Sequence, residues 1–144
     1  MLKKILRSHR LSQILILAAF IVTFAIARTI TVAQKFGFIP NQSGDIHIHH
    51  LVFGILLLLF CGYIGISFWA SDRVRHVMAI LFGIGAALTI DEFALWLYLD
   101  DVYWHDLGRI SIDAIIYTFA IFSLAFVISE IHDHKWIKKL LSRR

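Results

Sequence analysis

The chain has 144 residues, of which 59% are apolar, with a single proline and a mean hydropathy of +0.76. A soluble core of this size cannot bury that much hydrocarbon, so the composition favours a lipid bilayer as the solvent. The net charge of +4 could suit nucleic acid, but no nucleic-acid-binding module is recognisable. Basic loops facing anionic lipid head groups explain the same charge.

Four stretches are long and apolar enough to cross a bilayer, since a spanning helix needs about 20 residues. No strand-like alternation competes with this pattern. We therefore predict an all-α, polytopic membrane protein in which a four-helix bundle forms one domain over residues 1–144. The predicted spans are residues 11–33, 48–69, 74–99 and 110–131.

The first span has a second interpretation. Residues 1–27 have a basic start, an apolar stretch and the small residues Ala25 and Ala27 at the end, a pattern typical of a cleaved secretory signal. The apolar run continues to Ala33 and is interrupted only by Arg28. This continuation favours a retained transmembrane helix.

Basic residues are distributed unequally among the predicted loops. Eleven of the 14 lysines and arginines lie before the first span, between the second and third spans, or after the fourth. Because Lys and Arg resist translocation, this side is predicted to be cytoplasmic. Both termini are then inside, and the predicted location is the inner or plasma membrane.

Ionisable residues fall at a similar depth in all four spans. With a rise of about 1.5 Å per residue, Arg28 lies about 25 Å along the first span, and Asp91 and Glu92 lie about as far along the third. The stretch DIHIHHLVFG, residues 45–54, begins the second span, and Asp113 lies near the start of the fourth. Because charges inside a membrane are costly, such a layer is expected to face the interior of the bundle.

Helical spacing predicts which side of the third span faces inward. Ala79, Gly83, Ala87 and Asp91 recur every four residues, so they form a stripe of small side chains that ends in a carboxylate. Asp91 is therefore predicted to face the interior. Glu92 lies about 100° further round the helix and is expected to border the site or to point outward.

The same reasoning ranks the histidines of the second span. His47 and His50 share a face with small residues, whereas His49 aligns with the bulky Phe53 and Phe60. His50 and His47 are therefore favoured as inward-facing residues over His49, unless the helix begins irregularly.

Imidazole and carboxylate groups together suit zinc, iron or manganese. The predicted metal ligands are His47, His49, His50, Asp91 and Asp113. Arg28 is expected to hold a carboxylate or a substrate anion, and Tyr117, on the same helix face as Asp113, is expected to border the site. Glu92 is the predicted catalytic residue, as a proton shuttle.

Two functional hypotheses follow. In the first, the metal site is that of a hydrolase or oxidoreductase acting on a lipid or lipid-linked substrate near the outer leaflet. In the second, the site binds a metal ion or a proton without turnover and serves transport, sensing or assembly, in a homo-oligomer or with a membrane partner. Two simpler alternatives remain open: the histidines are a solvated interfacial segment, and Arg28 forms a structural ion pair with Asp91 or Asp113.

Overall fold

The computed structural model describes residues 2–40, 49–68, 71–98 and 109–141, and every regular element in these ranges is helical. The helices are α1 (Leu2–Lys35), α2 (His50–Ser67), α3 (Asp72–Asp91), α4 (Phe93–Tyr98) and α5 (Arg109–Leu141). The predicted all-α fold is confirmed.

Four of the described helices are long and apolar enough to cross a membrane. Their spanning segments are Ser8–Lys35, His50–Ser67, Asp72–Asp91 and Arg109–Asp133. Many large apolar side chains of α2 and α5 are exposed, and in a bilayer lipid would surround them. The architecture fits a small multi-pass integral membrane protein.

Contacts between side chains define the directions of the first three long helices. The Ser8 hydroxyl at the start of α1 donates to Asp72 at the start of α3, at 2.7 Å, while Arg28 farther along α1 pairs with Asp91 at the end of α3. The two helices are therefore parallel. His50, the first residue of α2, also contacts Asp91, so α2 runs antiparallel to both.

The last long helix, α5, runs antiparallel to α1. Arg10 near the start of α1 pairs with Glu130 in the second half of α5, at 3.2 Å. At the other end of the bundle, the buried Ser111 hydroxyl of α5 accepts a hydrogen bond from the Ala94 N–H of α4, at 3.0 Å. The four long helices thus alternate in direction, as consecutive spans require, and the assignment of the cytoplasmic side stays a prediction.

The central helix is α3, because small residues let neighbours approach it from two sides. A Cβ atom at Gly83 would lie 2.5 Å from the Ile16 carbonyl oxygen of α1, and one at Gly85 would lie 2.9 Å from the Gly54 carbonyl oxygen of α2. Positions two apart face nearly opposite sides of a helix. Accordingly, 39% of an 18-residue apolar stretch of α3 is buried, against 6% to 11% of the corresponding stretches of the other three.

An apolar core joins α1, α3 and α5. It is built around four buried residues, Phe20, Ala86, Ala87 and Ile115. The Phe20 ring meets Phe122 of α5 edge to face, with 5.8 Å between ring centres. Leu58 of α2 also packs against this core, so all four long helices contribute to it.

The third span ends earlier than the sequence predicts. A single helix was expected over residues 74–99, but α3 ends at Asp91, and Glu92 has the non-helical angles φ −101° and ψ 28°. The Leu95 N–H then donates to the Glu92 carbonyl oxygen at 3.0 Å, which begins α4. A continuous helix would point the side chains of Asp91 and Glu92 about 100° apart. The break lets both carboxylates reach the start of α2.

Candidate functional site

Asp91 is the buried centre of a polar cluster at one end of the bundle. Its side chain is fully buried, Oδ1 lies 2.6 Å from the Arg28 Nε, and Oδ2 lies 3.1 Å from the His50 Nε2. The Asp91 carboxylate therefore connects all three helices, α1, α2 and α3. The prediction that Asp91 faces the interior is confirmed.

Arg28 is held against the end of α3 by more than its ion pair. Its Nη2 donates to the Asp91 carbonyl oxygen at 3.3 Å, and its guanidinium carbon lies 5.5 Å from the centre of the Phe24 ring. Guanidinium groups are stabilised both by carboxylates and by aromatic faces. The predicted ion pair is thus present, and its partner is Asp91 rather than Asp113.

Glu92 caps the first turn of α2. Its side chain is nearly buried, and its Oε2 accepts a hydrogen bond from the Leu51 N–H at 2.8 Å. Backbone N–H groups in the first turn of a helix lack partners within the helix, and the helix dipole favours a negative charge there. Glu92 Oε1 also lies 2.8 Å from His49 Nδ1 and 3.6 Å from His50 Nδ1. Glu92 therefore borders the site and does not point outward.

His49 takes part in the cluster although its helical face disfavoured it. It precedes α2 in an extended conformation, with φ −70° and ψ 141°, so its side chain does not follow the helical rotation of the residues after it. The helix therefore begins irregularly, which is the one case in which the sequence allowed His49 to face inward. His47 lies outside the described residues.

Asp113 and Tyr117 lie elsewhere. Both are exposed on α5, and Tyr117 is 69% exposed. The side-chain contacts of the polar cluster join α1, α2 and α3, whereas Ile115 of α5 belongs to the apolar core. The structure thus brings together five predicted site residues: Arg28, His49, His50, Asp91 and Glu92.

The metal site stays a prediction. Within the described ranges, no three His, Cys, Asp or Glu side chains are arranged to hold a metal ion. The observed distances are those of hydrogen bonds and ion pairs, with the Arg28 cation beside Asp91. Of the five predicted ligands, His47 is the one outside these ranges.

A cavity of about 380 Å³ lies beside the cluster, between α1 and α2. On α1 its lining extends from Thr23 to Gln34, which corresponds to about 16 Å along the helix axis. Its volume is within the range of about 300–1,000 Å³ typical of small-molecule sites. The cavity is not among the features predicted from the sequence.

The two ends of the cavity differ in polarity. Towards the helix ends, the lining consists of Thr31, Gln34, His49, His50 and Glu92. Towards the bundle centre, it is largely apolar and includes Ile26, Phe53 and Leu88. A sequence signal for this face did exist, because Thr23, Ala27 and Thr31 recur every four residues along α1.

No family model, curated protein or solved structure matches this chain. Its function therefore has to be inferred from the chemistry of the site.

Proposed function

We propose that the protein binds a lipid or lipid-linked molecule in the cavity between α1 and α2. The head of the ligand lies against His49, His50 and Glu92, and its chain extends towards Phe53 and Leu88. The supporting observation is the change from a polar to an apolar lining along the helix axis. This is the polarity that an amphipathic molecule in one membrane leaflet has along its own length.

The ligand has a direct route from the bilayer. Ile26 of α1 and Phe53 of α2 line the cavity, and both are more than half exposed at the bundle surface. A lipid chain can therefore pass between these side chains without crossing the polar end. Under the predicted topology, the cavity opens to the outer leaflet.

The first test fills the cavity from α1. In Ala27→Phe, a large ring replaces a side chain that lines the cavity, and we expect most of the bound lipid to be lost. Ala25→Phe is the matched control, since Ala25 lies on the same helix, is exposed and does not line the cavity. Lipids that remain after purification in a mild detergent would be quantified by mass spectrometry.

The two variants should differ in the amount of lipid they retain. If Ala27→Phe and Ala25→Phe retained the same amount of the same lipid as the wild type, the cavity would not be the binding site. Thermal unfolding of each variant would show whether the loss of lipid reflects a loss of fold.

Catalysis at the same site is the second candidate function. Glu92 Oε1 lies 2.8 Å from His49 Nδ1, and both residues line the cavity. A carboxylate that orients an imidazole is a common arrangement for general acid–base chemistry. Turnover of a bound lipid would then depend on Glu92. It would proceed either with the zinc, iron or manganese ion predicted from the sequence or without a metal ion.

Metal content and turnover can be measured on the same preparations. If a metal ion serves the site, the wild type contains stoichiometric zinc, iron or manganese, and both His50→Ala and Asp91→Ala lose it. If the site is catalytic, the wild type converts a component of a native lipid extract and Glu92→Gln does not. Wild type that holds no metal ion and forms no product would leave lipid binding without catalysis.

A further inference from the structure

We infer that the ligand is an amphiphile whose head group carries a positive charge, of the ammonium type. This inference rests on the proposed lipid-binding function and adds to it the chemical class of the ligand. It is derived from the charge of Glu92, which lines the cavity, and from those of Arg28 and Asp91, which do not.

The cluster contains two carboxylates and one guanidinium, from Asp91, Glu92 and Arg28. The guanidinium is paired with Asp91, whereas Glu92 is contacted by the imidazoles of His49 and His50 and by the Leu51 N–H. A carboxylate in a largely apolar medium gains from a cationic partner, so a cation in the neighbouring cavity would stabilise Glu92.

The negative charge is on the cavity side of the cluster. Of the described residues that line the cavity, Glu92 is the one carboxylate, and none is a lysine or arginine. Arg28 and Asp91 are paired at 2.6 Å and are not part of the lining. A ligand entering the cavity therefore meets the Glu92 carboxylate and two imidazoles.

This composition disfavours an anionic head group. A phosphate or sulfate beside Glu92 would place two negative charges close together in a medium of low dielectric constant. The Arg28 guanidinium, which could compensate an anion, is directed to the side-chain and carbonyl oxygens of Asp91. An ammonium group instead can donate hydrogen bonds to the Glu92 carboxylate.

The test compares three single-chain amphiphiles that differ in their head groups. Decylamine, decanol and decyl sulfate would be added at the same concentrations to the protein in a neutral detergent at pH 7, and the Tm would be followed by tryptophan fluorescence. Binding to the folded state raises the Tm, and the rise grows with the logarithm of the ligand concentration relative to Kd. We expect decylamine to give the same rise in Tm as decanol at about one tenth of the concentration, and decyl sulfate to have the weakest effect.

Two variants separate the site from the charge of the micelle. Glu92→Gln keeps the size of the side chain and removes its charge, so it should abolish the advantage of decylamine over decanol. Glu130→Gln is the matched control, because Glu130 pairs with Arg10 at the opposite end of the bundle and should leave that advantage unchanged. If Glu92→Gln did not fold, equal stabilisation of the wild type by decylamine and decanol would still contradict the positive head group.

The possible results distinguish this inference from the function on which it rests. Equal stabilisation by decylamine and decanol, or stronger stabilisation by decyl sulfate, would overturn the positive head group and leave amphiphile binding intact. Stabilisation by none of the three would contradict both. A preference for decylamine that persisted in Glu92→Gln would show that the charge is recognised elsewhere.

Discussion

Asp91→Leu is expected to lower the free energy of unfolding by about 3–5 kcal/mol, the cost of leaving a buried charge without its partner. Arg28 would lose its carboxylate at 2.6 Å, while its side chain remains mostly buried at 22% exposure. The His50 Nε2 would lose its contact with Asp91 as well. Equilibrium unfolding in mixed detergent micelles, starting from the folded protein, would measure the change.

The double variant Arg28→Met/Asp91→Leu tests the physical cause. Replacing both charges by apolar side chains removes the unpaired group, so we expect much of the lost stability to return. Glu130→Leu serves as the control, since its partner Arg10 is 58% exposed and such pairs contribute about 1 kcal/mol or less. A double variant as unstable as Asp91→Leu alone would mean that the pair is not the source of the effect.

Gly54→Val should separate α2 from α3 and disturb the polar cluster with it. A Cβ atom at Gly54 would lie 2.8 Å from the Gly85 carbonyl oxygen and 2.8 Å from the Thr89 backbone nitrogen. Because these are backbone atoms, α2 itself has to move. Overpacking of this kind costs about 1–3 kcal/mol, and here it would also withdraw His49 and His50 from their carboxylate partners.

Gly62→Val provides the matched comparison on the same helix. Nothing lies within 4 Å of a Cβ atom built at Gly62, while the effect of valine on the helical backbone is the same at both positions. We expect Gly62→Val to retain bound lipid and nearly the stability of the wild type, and Gly54→Val to lose both. Similar losses in the two variants would indicate that the close approach of α2 to α3 is not required for the site.

The membrane architecture could be predicted because it depends on local properties of the chain. The length and hydropathy of each span follow directly from consecutive residues, and four described helices overlap the four predicted spans, although the third ends at Asp91 rather than at residue 99. The stripe of small residues on α3 also required only helical periodicity. Asp91 ends that stripe and is fully buried.

Predictions that depended on an ideal helix succeeded only where the helix is regular. Glu92 follows the last residue of α3 and His49 precedes the first residue of α2, so neither is part of a regular helix. Both were assigned orientations by continuing the helical rotation through these ends. In the structure, the two side chains meet at 2.8 Å.

By itself, the sequence determined that the chain forms four apolar spans and that a layer of ionisable residues lies near one end of them. It could not determine which neighbour each span would have. Only the tertiary structure places α2 against α3 at Gly54 and Gly85 and leaves Asp113 exposed on α5. The physical reason is that small residues on α3 allow backbone contact at a few positions, and these contacts depend on the three-dimensional fit of whole helices. They also decide that a cavity remains between α1 and α2.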